Sequence, residues 1–224
     1  MIHLDITFDF ETCSTAPDAA PMQLAAVAWD RNSTAKHPFL SETKPFNVGI
    51  DLRTCVVKGF SFDQDTIDFW SHQATTAKQS VTEDEPWPID VAYKQFCEWI
   101  EAARQERRAD TVCLWCQGQD FDFPILKTIA RRFGLEMPVH QHYFRDCRTF
   151  VLEAALLLTD YRTFPLPDGT ALTNDIILRQ PMRAYDIIPP MPAELTEGRT
   201  KHDATYDCLR STWSVWQAMK LLRQ

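Results

Sequence analysis

With 224 residues, of which 45% are hydrophobic and 24% charged, the chain has the composition of a folded globular domain and not of a disordered one. A formal net charge of −8 excludes a protein that grips nucleic acid by bulk attraction, though not an enzyme that holds a short end through metal ions. No apolar run is long enough to span a bilayer and the first residues lack a signal peptide's basic and apolar regions, so a cytoplasmic chain free of membrane is expected.

Ile2, Leu4, Ile6, Phe8 and Phe10 alternate with His3, Asp5, Thr7, Asp9 and Glu11, the period of a β-strand. That period puts Asp9 and Glu11 on one face, about 6–7 Å apart. Two like charges side by side on an otherwise apolar element repel each other and lose hydration, which a divalent cation would relieve. Solvated acids where a strand runs into a loop would show the same pattern, so the pair alone does not decide. Residues 13–21 read as a turn-rich link, and 22–29 and 46–50 as the second and third strands of an antiparallel meander. Residues 51–61 are ambiguous. A short helix is predicted from about Asp63, with Ile67, Phe69 and Trp70 on its apolar side.

The acidic, proline-bearing residues 83–88 precede the clearest helix, whose stripe is Ile89, Ala92, Tyr93, Phe96, Ile100 and Ala103. Residues 111–116 form a compact apolar strand, 117–120 a loop, and the next helix runs from about Asp122 to Phe133, ending at Gly134. Cys113 and Cys116 have C-x-x-C spacing, but on a strand their sulfurs face opposite sides, and the seven scattered cysteines read as reduced thiols. Another strand is expected within 139–147 and a helix over 148–158. Residues 159–200, rich in proline and short on periodicity, read as an irregular excursion, and their place before His202 suggests a lid. Asp203 caps a final helix reaching about Leu222. Strands first, then alternating helix and strand, predict a single α/β layered domain over 1–224 with a mixed sheet.

Two further acids stand out. Asp122 heads a helix face completed by Leu126, Ile129 and Phe133, so it points toward the sheet, although an acid at a helix N-terminus is favoured by the dipole in any case. Asp207, Ser211, Ser214 and Ala218 form a small-residue stripe that would let the last helix approach the sheet closely, with Leu209, Trp213 and Trp216 opposite as core. His202 lies in the loop leading into that helix.

Taken in order, Asp9-Phe10-Glu11-Thr12, Phe121-Asp122 and His202-x-Ala204-x-x-Asp207 resemble the three motifs of the DnaQ-like 3′–5′ exonucleases, the DEDDh branch of the ribonuclease H-like superfamily. Trp115-x-x-Gly118-x-x-Phe121-Asp122 is similar to the Trp-x-x-Gly second motif of a bacterial and phage group that includes exoribonucleases. Thr66-x-x-Phe69-Trp70-x-x-Gln73 and Arg145-Asp146-x-Arg148-Thr149 resemble segments of the same group. The resemblance implies a three-layer ribonuclease H-like fold with a mixed, mostly five-stranded sheet. It implies that Asp9, Glu11, Asp122 and Asp207 bind two divalent cations, Mg2+ or Mn2+, and that His202 is the general base. It further implies that Phe10 and Thr12 line the terminal nucleotide's pocket, that Trp70 either stacks on a base or is core, and that Arg145 and Arg148 are candidate phosphate contacts. The expected partner is a nucleic acid with a 3′ end, single-stranded DNA or RNA or a 3′ overhang, with a homodimer left open. A catalytically silent module binding nucleic acid or protein is the alternative reading, and an endonuclease of the wider superfamily another. The presence of all five motif residues disfavours the first, and the ordered histidine motif the second.

Overall fold

The computed structural model describes residues 1–73 and 85–224. Five strands, β1 (His3–Thr12), β2 (Pro21–Trp29), β3 (Phe46–Gly49), β4 (Thr111–Cys116) and β5 (Phe144–Asp146), form one sheet in the order β3-β2-β1-β4-β5. β1 is antiparallel to β2 and parallel to β4, so the sheet is mixed, as the order of elements predicts. The helices are α1 (Leu52–Val57), α2 (Gln64–Ser71), α3 (Ile89–Arg107), α4 (Asp122–Phe133), α5 (Cys147–Thr159), α6 (Asn174–Arg179) and α7 (Ala204–Leu222).

Both faces of the sheet are covered, giving three layers. Leu4, Ile6, Phe8 and Phe10 of β1 pack with the stripe Ile89, Tyr93, Phe96 and Ile100 of α3 and with Leu126 and Ile129 of α4. The other face meets α5 and α7, where Trp29, Trp115, Val151, Trp213 and Trp216 join a second core. Cys113 belongs to the second core and Cys116 to the first, so the two thiols do face opposite sides. Gly134 ends α4 at φ 63°, a conformation glycine adopts without strain.

The alternation in β1 therefore separates two kinds of interior and not core from water. Asp5 is fully buried and accepts bonds from Arg31 Nε at 2.7 Å and Trp115 Nε1 at 2.7 Å. Thr7 accepts from Trp29 Nε1 at 3.0 Å and from Thr212 of α7 at 2.7 Å. Polar positions on a covered face must find such partners, because an unmade buried hydrogen bond costs about 1–3 kcal/mol.

One stretch left open is resolved and two expectations need correction. Residues 52–57, inside the ambiguous stretch, are helical, held by the Asp51 cap. α2 has no buried side chain: Ile67 and Phe69 are exposed, and its aromatic side faces a cavity and His202 instead of the core. Residues 159–200 are less irregular than their composition suggests, since α6 and two 3₁₀ turns (Pro181–Ile187 and Ala193–Leu195) bury Ile177, Ala184 and Ile187 against the second core. The acidic residues Glu83 and Asp84 lie outside the described residues.

Candidate active site

The ladder between β1 and β4 stops at Thr7–Trp115, so β1 runs on past its neighbour and carries Asp9 and Glu11 beyond the paired region. After β4 the chain turns at residues 117–121 and starts α4, which brings Asp122 to the freed edge. There Asp122 Oδ1 accepts a bond from the Phe10 amide at 3.2 Å. This contact satisfies a strand N–H that β4 no longer reaches and fixes the carboxylate beside Asp9.

α7 supplies the remaining members. Its N-terminus is pinned by the Asp203 cap and by the bond from Ala204 N to Gln23 Oε1 at 3.2 Å. Cys208 and Thr212 make the closest approach, to Ala25 of β2 and Thr7 of β1. The predicted stripe of Asp207, Ser211 and Ser214 lies beside that line and faces a cavity of about 300 Å³ shared with Asp9, Asp122 and His202. His202 adopts φ 67°, a left-handed conformation uncommon outside glycine, which its backbone N–H bond to Asp207 Oδ2 at 3.1 Å supports. One ligand atom each from Glu11, His202 and Asp207 lie within 4.8 Å of one another. All five motif residues thus converge at the end of β1.

Electrostatically the cluster is unfavourable as it stands. Glu11 and Asp122 are 8% and 2% exposed, and among the described residues none of the four carboxylates has a salt-bridge partner. Burial, reinforced by Asp207 and Asp122, pushes Glu11 up to about 8. Burial likewise raises Asp122 to about 8, against the pull of the Phe10 amide. Asp9 is raised well above the carboxylate range by burial and then by Asp122, Glu11 and Asp207, and burial raises Asp207 too. Arg148 near Asp122 and Arg210 near Asp207 offset this only in part, and four crowded oxygen-bearing groups outside any salt bridge fit a hard divalent metal. Burial holds His202 below its ordinary value, which favours the neutral ring near pH 7.

A larger cavity of about 830 Å³ adjoins the acids on the α2 side, lined among others by Phe10, Glu11, Thr12, Phe69, Trp70 and Phe121. Trp70 Nε1 donates to the Thr12 carbonyl at 2.9 Å, tying α2 to the end of β1 and leaving the indole half-buried against the cavity. Thr12 directs its own hydroxyl to Ser14 O at 2.7 Å, so toward the cavity the oxygen can only accept. Phe69 meets the His202 ring edge-on at 5.1 Å. Sequence reasoning missed this contact, along with Lys201 and Arg210 in the smaller cavity and Tyr185, which reaches it from the 159–200 segment. No local signal marks Tyr185; it joins the site only through packing. Arg145, by contrast, is spent on the carbonyls of His142 and Phe144, at 2.7 and 2.8 Å.

The family model for the 3′–5′ exoribonuclease Rv2179c-like domain matches residues 4–168, a span holding Asp9, Glu11 and Asp122 but stopping short of His202 and Asp207. An exodeoxyribonuclease of Enterobacteria phage T4 is 31% identical over 233 residues, covering 96% of this chain and 89% of the phage protein. The nuclease domain of 3′hExo, a DEDDh family member solved bound to rAMP, superimposes with a TM-score of 0.54 at 11% identity, over 99% of this chain and 92% of that one. At that identity the likeness concerns the fold.

Proposed function

The chain belongs to the family of 3′–5′ exoribonuclease Rv2179c-like domains, and hence to the DnaQ-like exonucleases of the DEDDh kind; from this premise we propose how its own residues remove nucleotides from a 3′ end. Asp9, Glu11, Asp122 and Asp207 hold two divalent cations, Mg2+ or Mn2+. When bound, these supply a nucleophile at neutral pH and offset the charge developing on the phosphate and on the departing 3′ oxygen. The observation that carries the reading is the convergence of four crowded carboxylates at the end of one strand, none of them in a salt bridge and all of them raised by burial despite the arginines nearby.

The protein's own contribution is placement and proton transfer. His202, neutral because burial disfavours its charged form, takes the proton of the attacking water. The bond between phosphorus and the 3′ oxygen breaks, releasing a nucleoside 5′-monophosphate and a chain shorter by one unit. The terminal nucleotide occupies the 830 Å³ cavity, against Phe10 and Thr12, with Trp70 as the face on which its base stacks. Residues 1–224 act here as one nuclease domain, since the 159–200 segment contributes Tyr185 to the wall of the site.

The test uses oligonucleotides labelled at the 5′ end, as RNA and as DNA, with Mg2+ or Mn2+. Stepwise shortening from the 3′ end with mononucleotide release is expected. Both sugars are needed as arms, because the family description names RNA and the phage relative's name DNA. Internal cuts, or activity that survives Asp9→Ala and His202→Ala, would overturn the assignment.

A further inference from the structure

The site also carries cations that the chemistry above leaves unused. Arg148, in the first turn of α5, and Arg210, one turn after Asp207 on α7, line the 300 Å³ cavity together with Asp9, Asp122 and Asp207. Among the described residues neither guanidinium makes an ion pair or a hydrogen bond. Eight other arginines are paired with carboxylates within 4.0 Å, so the surface does not lack acids to meet these two.

The placement of Arg148 is built. Gly118 has φ +103°, and a Cβ there would come within 3.4 Å of Arg148 Nη2, so the guanidinium lies across bare loop backbone. Asp146 locks that loop to α5, its Oδ2 accepting from Gln119 N at 2.5 Å and its Oδ1 from Thr149 N at 2.6 Å. The Trp-x-x-Gly and Arg-Asp-x-Arg-Thr segments are therefore two halves of one device that sets an arginine at the rim. On the other side, Gln117 bridges Tyr185 Oη at 2.7 Å and Ser211 Oγ at 3.3 Å, joining the same loop to the wall where Arg210 emerges.

Resting on the nuclease reading, we propose that Arg148 and Arg210 clamp the phosphate one linkage 5′ of the scissile one. The large cavity on the Glu11 and Trp70 side takes the terminal nucleotide and the carboxylates the scissile phosphate; the two arginines line the smaller cavity with Asp9, Asp122 and Asp207 and not the large one, so the phosphate they would meet is the next one toward the 5′ end. A planar guanidinium with several donors suits phosphate oxygens better than an ammonium does. Such a clamp also answers a chain of net charge −8, which must draw in a polyanion locally.

The experiment follows first-nucleotide removal from oligonucleotides that carry one uncharged methylphosphonate, placed either at the linkage 5′ of the scissile bond or farther upstream. For the native protein the near substitution should lower kcat/KM about tenfold or more, and the far one little. Arg148→Ala and Arg210→Ala should lose a similar factor on the all-phosphate strand and no longer distinguish it from the near-substituted one, with Arg148→Lys regaining part. Arginines that only offset the carboxylates would slow every substrate equally and leave the native sensitivity in place; that result, or a native enzyme indifferent to the near linkage, overturns the clamp. Failure of the native protein to shorten the all-phosphate strand would instead sink the nuclease reading.

Discussion

Removing metal and raising the pH should destabilise this protein, by an amount its own carboxylates set. Burial raises Glu11 from 4.5 to about 8 and Asp122 from 3.8 to about 8. In the unfolded chain both ionise near pH 4, whereas in the metal-free folded protein both keep their protons until about pH 8. Between those values the folded state binds more protons than the unfolded one, so stability falls as pH rises, by about 1.4 kcal/mol per pH unit for each carboxyl. From pH 6.5 to 8 one such group costs roughly 1.5 kcal/mol and the two together roughly 3 kcal/mol, allowing for titration near 8. In a domain of this size the two together mean a fall in Tm of roughly 6–12 °C. His202, lowered by burial, works in the opposite sense, but mainly below about pH 6.5. Buried thiols such as Cys13, pushed up to about 11, add their own loss only once the unfolded thiols ionise near 9. The assay is thermal unfolding across that pH window in EDTA, repeated with saturating Mg2+ or Mn2+. Metal binds the ionised carboxylates of the folded state, so its stabilisation, about 2.7 kcal/mol at a hundredfold excess over Kd, should be larger at pH 8 than at 6.5. A Tm in EDTA that holds steady or rises over this range would refute the reasoning about buried, unpartnered acids. A Tm at pH 8 that neither metal moves would refute the metal assignment.

Other substitutions separate the roles of neighbouring residues. Asp9→Asn replaces a carboxyl that the metal-free fold must keep protonated or crowd among other acids, so that protein at pH 8 should gain about 1–3 kcal/mol while activity falls by orders of magnitude; lost stability in chemical denaturation would contradict this. Asp5→Ala strands the partners Arg31 and Trp115 and should cost about 3–5 kcal/mol, with kcat per folded molecule unchanged below the lowered Tm. Trp70→Ala should raise KM roughly 5- to 150-fold through a lost stack of about 1–3 kcal/mol, with Trp70→Phe recovering part. Phe69→Ala removes an edge contact of about 0.5–1.5 kcal/mol from His202 and should lower kcat roughly 2- to 10-fold with KM little changed; a change in KM alone would assign Phe69 to nucleotide binding.

How much of this was legible in the sequence depended on whether the signal was periodic. The α3 stripe was visible because one surface dictates its apolar positions, the β4 run because both faces of that strand are buried, and the α4 and α7 ends because Gly134 and Asp203 act locally. Asp9, Glu11, Asp122 and Asp207, which the structure brings together, stand out in the sequence through their position on predicted elements and by resemblance. α2 misled, because Ile67, Phe69 and Trp70 at helical spacing ordinarily mean a buried face, whereas here the two aromatic rings stand over His202 and a cavity. The small residues beside Asp207, Ser211 and Ser214 among them, predict the surface of closest approach, but it is Cys208 and Thr212, one position around the helix, that bond to the sheet. Tyr185 was out of reach, since its place in the wall follows from how residues 159–200 fold back on α5 and α7, which no local pattern encodes.

The odd-numbered face of β1 shows why period alone cannot assign function. Asp5, Thr7, Asp9 and Glu11 follow one another at the same spacing on the same face. Asp5 has a guanidinium and an indole, and Thr7 an indole and a hydroxyl, so the first half of the row is a satisfied interior. At Asp9 the β4 ladder has ended, and α7 presents Asp207 where a cation would otherwise be expected. From there on the acids crowd one another, a state that the fold tolerates by keeping carboxyls protonated and that a bound cation would relieve. The boundary between scaffold and site thus falls between Thr7 and Asp9, where pairing with β4 stops while that with β2 continues, and carboxylates begin to face one another. The same boundary separates the outcomes expected of Asp5→Ala, which should lower the Tm and leave the chemistry of the folded protein intact, and Asp9→Asn, which should stabilise the metal-free fold and silence it.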